Sequence, residues 1–268
     1  MRPDTPSDPR PLRLEVPSGV ASVTDEGAGP AVVCVHGLPG SSRDFRWLAP
    51  ALTARGLRVV RLELPGFGQA PEPPPGASST VAALGHYVSE VIAALRLEAP
   101  TLLGHSFGGT IALNVAAHRP EEVGRLALVA SMGTRRHRGF REFGWGVELG
   151  RWAGVPGLGG PVGWLLEAGF RRFGFRHDVD SQTVLRTMKL IDNFDFAHQA
   201  AAVARLRVPT AMVWSLDDPL IEAEIAEHMA QRLPEGPRLR FPDGTHNPQK
   251  HYAVEIADNL ATWIGVQR

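Results

Sequence analysis

Along this chain, short apolar runs alternate with stretches whose apolar positions recur at three- and four-residue intervals. Ala31–Val35 is a continuous apolar run, as expected for a strand covered on both faces, and Leu57–Leu62, Thr101–Leu103, Arg125–Ala130, Thr210–Trp214 and Arg238–Phe241 predict further strands. Between them, helical spacing marks Asp44–Arg55 (closed by Gly56), Ser79–Leu95, Phe107–His118 (stopped before Pro120), Glu222–Leu233 and Ala253–Ile264. Ahead of these, Leu12–Val16 and Val20–Thr24 flank the turn Pro17-Ser18-Gly19 and predict an opening hairpin. Strand-helix alternation of this kind implies an α/β fold: a mostly parallel central sheet of about eight strands, flanked by helices.

The rhythm breaks near Met132. From about residue 133 to 205 the chain holds glycines, tryptophans and arginines in helical spacing without a convincing strand, and Thr210 then restores the sheet pattern. The predicted organisation is a core of residues 11–132 and 206–268, interrupted by a helical cap at 133–205. Residues 1–10, proline alternating with polar groups, are expected to be disordered.

Composition narrows the function classes. With 268 residues, 43% apolar and 21% charged, the chain is long enough for one large core with an insertion. Its formal net charge is zero, so no global field draws it to nucleic acid. The single cysteine, Cys34, lies in an apolar run and requires no oxidising compartment. No apolar run reaches the roughly 18 residues of a membrane span, and the N-terminus has no signal-like apolar core; the expectation is a cytoplasmic protein without integral membrane association.

Gly104-His105-Ser106-Phe107-Gly108 matches the G-x-S-x-G pattern, which puts a serine on a strained turn between a strand and a helix. In a chain with 29 glycines the five residues are weak evidence alone, but Thr101–Leu103 precedes them and a helical run follows, which is the setting the mechanism needs. The helix N-terminus would present its amides to negative charge forming beside Ser106.

Here the sequence resembles the α/β-hydrolase superfamily, from about Ala31 onward. His36-Gly37-Leu38-Pro39-Gly40 is similar to that family's oxyanion loop, and Glu63-Leu64-Pro65-Gly66-Phe67-Gly68 to its D-x-P-G-x-G loop. The resemblance implies a nucleophile at Ser106 and an oxyanion hole from the amides of Leu38 and Phe107. His36 and Gly37 would support the oxyanion loop, and His105 would pack within the elbow. Trp214-Ser215-Leu216-Asp217-Asp218-Pro219 resembles W-G-x-x-D-P, which puts the acid at Asp218 with Asp217 as competitor. Asp243-Gly244-Thr245-His246-Asn247-Pro248 resembles the G-x-G-H loop and makes His246 the base, although Thr245 replaces a glycine and Lys250 stands where the family often has glutamate.

Ser106 excludes the nucleophilic aspartate that dehalogenases and epoxide hydrolases of this fold use. No H-E-x-x-H, C-x-x-C or phosphate-loop pattern occurs, so neither a metal nor another cofactor is expected. Between Arg135 and Arg176, eight arginines and three glutamates are interleaved with Trp145, Trp152, Trp164, Phe140, Phe143, Phe170, Phe173 and Phe175. The aromatics suit a small-molecule substrate with an apolar acyl or ring group. The arginines suit a solvated face, an anionic substrate or docking on an acidic surface. Asp192-Asn193-Phe194-Asp195 fits a helix boundary or a substrate contact. The expected reaction is hydrolysis of a carboxylic ester through an acyl-enzyme. Alternatives are a thioesterase such as an acyl-CoA hydrolase, a carbon-carbon bond hydrolase, an acyltransferase, and a non-catalytic ligand-binding protein of the same fold.

Overall fold

Eight strands form one sheet in a computed structural model of the chain, which describes residues 9–74, 76–172 and 179–266. Most of the N-terminal stretch expected to be disordered, residues 1–8, lies outside the described residues. The strands are β1 Leu12–Val16, β2 Gly19–Glu26, β3 Ala31–Val35, β4 Arg58–Leu62, β5 Thr101–His105, β6 Arg125–Val129, β7 Thr210–Ser215 and β8 Arg238–Phe241, in the order β1-β2-β4-β3-β5-β6-β7-β8. β1 and β2 are antiparallel, as are β2 and β4; every other neighbouring pair is parallel.

Period-two alternation divides the parallel strands between two cores. Val33, Val35, Leu102, Leu126 and Leu128 face α2 (Val81–Ala94) and α3 (Phe107–His118). Val32, Cys34, Leu103, Ala127 and Val129 face α1 (Leu48–Thr53) and α11 (Ala253–Ile264). Central β5 is therefore buried at all five positions. Burial pushes the Cys34 thiol up to about 12, so it stays neutral.

One expected element is corrected. Asp44–Arg55 is not a continuous helix: a 3₁₀ turn spans Ser42–Phe45 and α1 begins only at Leu48. Pro50 supplies the reason. In a continuous helix its missing N–H and its ring would interrupt the bond to Arg46, whereas a restart at Leu48 puts it in a first turn, where no N–H is needed. Ser42 is also held from outside, its amide and hydroxyl both donating to the buried Glu63 carboxylate at 2.9 and 2.8 Å.

Between β6 and β7 the described residues contain helices and no strand. These are α4 Arg138–Glu142, α5 Gly144–Arg151, a 3₁₀ turn at Trp152–Gly154, α6 Gly159–Arg172, α7 Ser181–Asp192 and α8 Phe196–Arg205. Asp180 caps α7 and Asp195 caps α8, each side chain accepting from amides two or three residues on, so these two aspartates mark helix boundaries. Phe143, Val162, Leu166, Phe170, Val184 and Met188 form a small separate core there. α9 (Ala223–Ala230) and α10 (Pro248–His251) complete the α-helices among the described residues.

Candidate active site

Ser106 stands between the end of β5 and the start of α3 with φ 52° and ψ −120°, a left-handed conformation that costs a non-glycine residue about 1–3 kcal/mol. The surrounding backbone enforces it. A Cβ on Gly104 would lie 2.4 Å from Gly108 O, and one on Gly108 would lie 2.2 Å from Val35 O, so strand, turn and helix touch backbone to backbone. The Ser106 amide donates to Val129 O at 3.0 Å, tying the bend to β6.

Two loops from the far end of the sheet meet this serine. The Ser106 hydroxyl lies 2.8 Å from His246 Nε2, and His246 Nδ1 lies 2.8 Å from Asp218 Oδ2. Asp218 is buried, and its other oxygen accepts from the amides of Leu220 and Ile221 at 2.8 and 3.0 Å, which fixes the carboxylate. With a carboxylate on Nδ1, the favoured tautomer carries its proton there and leaves Nε2 as acceptor for the serine hydroxyl. Asp217 has a different task. Its Oδ1 accepts at 2.8 Å from the amide of Thr245, itself the positive-φ residue that stands where related loops place glycine, and so holds the loop rather than the imidazole.

His105 also reaches the histidine loop, its Nε2–H donating to His246 O at 2.8 Å. Its Nδ1 faces Asp44 Oδ2 at 3.6 Å. Burial pushes the Asp44 carboxyl up, but His105, His36 and the Gly37 amide outweigh it and leave the group below its ordinary range. His36 is fully buried: Nδ1–H donates to Gly37 O at 2.7 Å and Nε2 accepts from the Leu64 amide at 3.0 Å, joining the loops after β3 and β4. Leu38 follows on the first of these loops. Phe107, as the first residue of α3, has an amide without an intrahelical acceptor.

Ser106 and His246 line two spaces. The inner one, about 60 Å³, is walled mainly by Met132, Phe140, Phe143, Phe170, Ile191, Leu220 and Ile221, with His137 and Thr187 as its other polar members. Nothing in the sequence marks His137. It donates from Nδ1 to Leu220 O at 2.9 Å, stands edge-on to Phe140, and burial lowers its pKa, so it is a neutral wall. The outer space, about 400 Å³, opens between the Gly37–Gly40 loop and the histidine loop.

None of the arginines of residues 135–171 lines either space, and most of them are paired. Arg135 lies 3.8 Å from Glu224, and Arg138 donates to Pro219 O. Arg141 pairs with Glu222, Arg151 with Glu148 and Asp192, and Arg171 with Glu167. Trp145, Trp152 and Trp164 are exposed rather than turned to the cavity; Phe173, Phe175 and Arg176 lie outside the described residues. Phe194 packs on Phe107 and Phe140. Among the described residues no cluster of His, Cys, Asp or Glu could hold a metal ion, and no helix is long and apolar enough to cross a membrane.

Comparison with known proteins gives the following. The family described as "alpha/beta hydrolase fold" matches residues 30–160. A pig protein, bifunctional epoxide hydrolase 2, is 32% identical over 136 residues, which is 49% of this chain but only 24% of that protein, so the match spans about a quarter of the relative's length. A putative carbamate hydrolase of Rhizobium rhizogenes is 27% identical over 214 residues, 75% of this chain and 80% of the relative. Among solved structures, an esterase from Exiguobacterium antarcticum has a TM-score of 0.74 at 21% identity, covering 94% of this chain and 98% of its own. An alpha/beta hydrolase fold protein from Burkholderia ambifaria has a TM-score of 0.76 at 21% identity, covering 93% and 96%.

Proposed function

Since this chain is a protein of the α/β-hydrolase fold, we propose that it is a serine hydrolase that cleaves carboxylic esters or related acyl compounds through an acyl-enzyme at Ser106. The observation that carries the reading is the unbroken Asp218–His246–Ser106 chain of 2.8 Å hydrogen bonds beside an apolar cavity.

In the proposed reaction the Ser106 hydroxyl attacks the substrate carbonyl while His246 Nε2 takes its proton. Asp218 holds the imidazole in the required tautomer and stabilises the imidazolium. The amides of Leu38 and Phe107 receive the oxyanion, an interaction worth about 2.7–4 kcal/mol per donor. As the tetrahedral intermediate collapses, His246 returns the proton to the leaving group. Water, activated by the same imidazole, then releases the acid.

The choice of serine bears on the substrate class. A serine that opened an epoxide would form an ether, which offers water no carbonyl to attack, so the enzyme would stop after one turnover. An acyl-serine ester is released by water. Esters, thioesters and carbamates share that electrophilic carbonyl and all fall within the proposal.

We assign residues 133–205 the role of a cap on a core formed by 11–132 and 206–268. Phe143, Phe170, Thr187 and Ile191 come from its helices and share the inner cavity with Ser106, which supports an apolar acyl or ring group as ligand. A cytoplasmic location accompanies this reading, the lone buried Cys34 needing no oxidising compartment.

The test is labelling with a fluorophosphonate probe together with hydrolysis of p-nitrophenyl esters of increasing chain length. Wild type should label and turn over, and Ser106→Ala should do neither. A wild-type protein that neither labels nor hydrolyses would leave the non-catalytic ligand-binding reading in its place.

A further inference from the structure

Resting on the serine-hydrolase reading above, we infer that the outer cleft takes an anionic leaving group, an alcohol or thiol bearing a carboxylate or phosphate, through Lys250 and Arg46.

The direction follows from proton transfer. When the intermediate collapses, the carbonyl re-forms from the oxyanion, the bond from carbon to the leaving oxygen or sulfur breaks, and that atom takes the proton from His246 Nε2. The leaving group must therefore depart along the histidine loop. That loop does not face the apolar cavity alone. Thr245, His246, Asn247 and Lys250 form one wall of the outer cleft, and Gly37, Gly40, Asp44 and Arg46 contribute the other. The acyl part then fills the inner cavity, whose small size and apolar walls suit no charge.

The cleft's charges favour an anion. Asp44 is its acidic member, and it is engaged by His105 and the Gly37 amide. Arg46 is anchored by a 2.7 Å bond from its Nη1 to Arg43 O, with its guanidinium 6.0 Å from the Trp47 ring centroid. Lys250 forms no ion pair among the described residues, and its side chain is exposed at the rim. It is one of two lysines among the chain's 28 basic residues, the other being Lys189. An unpaired ammonium four residues beyond the general acid supplies charge where the departing group passes, without the fixed geometry a guanidinium imposes.

The experiment uses two esters with one acyl group: 4-acetoxybenzoate, whose leaving group is anionic, and its methyl ester, which is neutral. The readout is the ratio of their kcat/KM values at low ionic strength. Lys250→Met should lower that ratio about fivefold, the size of one unit-charge contact in water-like surroundings, and Lys250→Glu about 25-fold. Lys250→Arg should keep the ratio close to wild type, and about 1 M salt should erase most of the difference. A ratio unmoved by Lys250→Glu overturns the inference while Ser106-dependent turnover continues. Turnover that survives Ser106→Ala overturns the underlying reading instead, so the two failures are distinguishable.

Discussion

Around β5 the chain is fitted backbone to backbone, whereas between β6 and β7 it is held side chain to side chain. At the elbow even a methyl group on Gly108 would strike a main-chain carbonyl. In the helical segment several glycines have open space around them, the apolar core is six residues, and the surface carries exposed tryptophans and paired arginines. The difference teaches where each property resides. Groups that must meet within a few tenths of an ångström are mounted on the part that cannot yield, and the cavity wall is built from the part that can.

Four measurements would break or sharpen this contrast. The largest effect is expected inside the rigid part: Asp218→Asn should lower kcat by about 10⁴-fold through the wrong histidine tautomer. At its neighbour Asp217 the bond to the Thr245 amide is what truncation removes, so Asp217→Ala should cost about tenfold or less. Equal losses from the two would remove the distinction drawn between them.

Next comes Phe170→Ala in the helical core, expected to cost about 3–5 kcal/mol of stability in that segment. Because Phe170 also walls the inner cavity, the preferred ester chain should lengthen while fluorophosphonate labelling of Ser106 persists. Loss of labelling along with cap stability would show that the two regions are not separable.

Gly108→Ala should destabilise by about 1–3 kcal/mol in urea titration, since the obstacle is backbone. The matched change on α6, Gly160→Ala, meets nothing within 4 Å and should be neutral or stabilise by up to about 1 kcal/mol.

The smallest effect concerns the clamp between the regions. Glu222 accepts from the Arg138 amide at 2.9 Å and pairs with Arg141, joining the approach to α9 with α4. Burial pushes its pKa up, but these donors outweigh it and bring the group down from 4.5 to about 2. A folded-state pKa below the unfolded one stabilises fully above about 4.5, and the contribution is lost as pH falls from there toward 2. Glu222→Gln should therefore lower Tm by about 2–4 °C at pH 7, roughly 1 kcal/mol after solvent screening, and flatten the fall in Tm over that acid range.

Much of this architecture was legible because burial on both faces writes itself as continuous apolar text. Ala31–Val35 coincides with its strand and Phe107–His118 with its helix; Arg238–Phe241 also matches β8, although that edge strand is buried only at Phe241. The helix expected over Asp44–Arg55 failed where Pro50 and the distant Glu63 carboxylate intervene, and only the first of these is local. The three residues of the hydrogen-bonded chain were picked out by motif resemblance, but periodicity alone could not have divided the tasks of Asp217 and Asp218, which depend on where Thr245 and His246 arrive. His137 carries no signal in its neighbours, because its place in the cavity comes from the chain's path past Leu220. The tandem cavities beside Ser106 are likewise products of tertiary packing.

Adjacent residues hold both ends of His246: His105 grips its main-chain carbonyl while Ser106 bonds its ring. Once the serine oxygen is esterified in the proposed cycle, its hydroxyl has no hydrogen left to offer and that second tether is gone. The imidazole nevertheless stays put between His105 and Asp218, with Nε2 vacated and facing the ester. Deacylation thus begins with the base already parked where an incoming water must lose its proton, and no loop has to swing back between the two halves of the turnover.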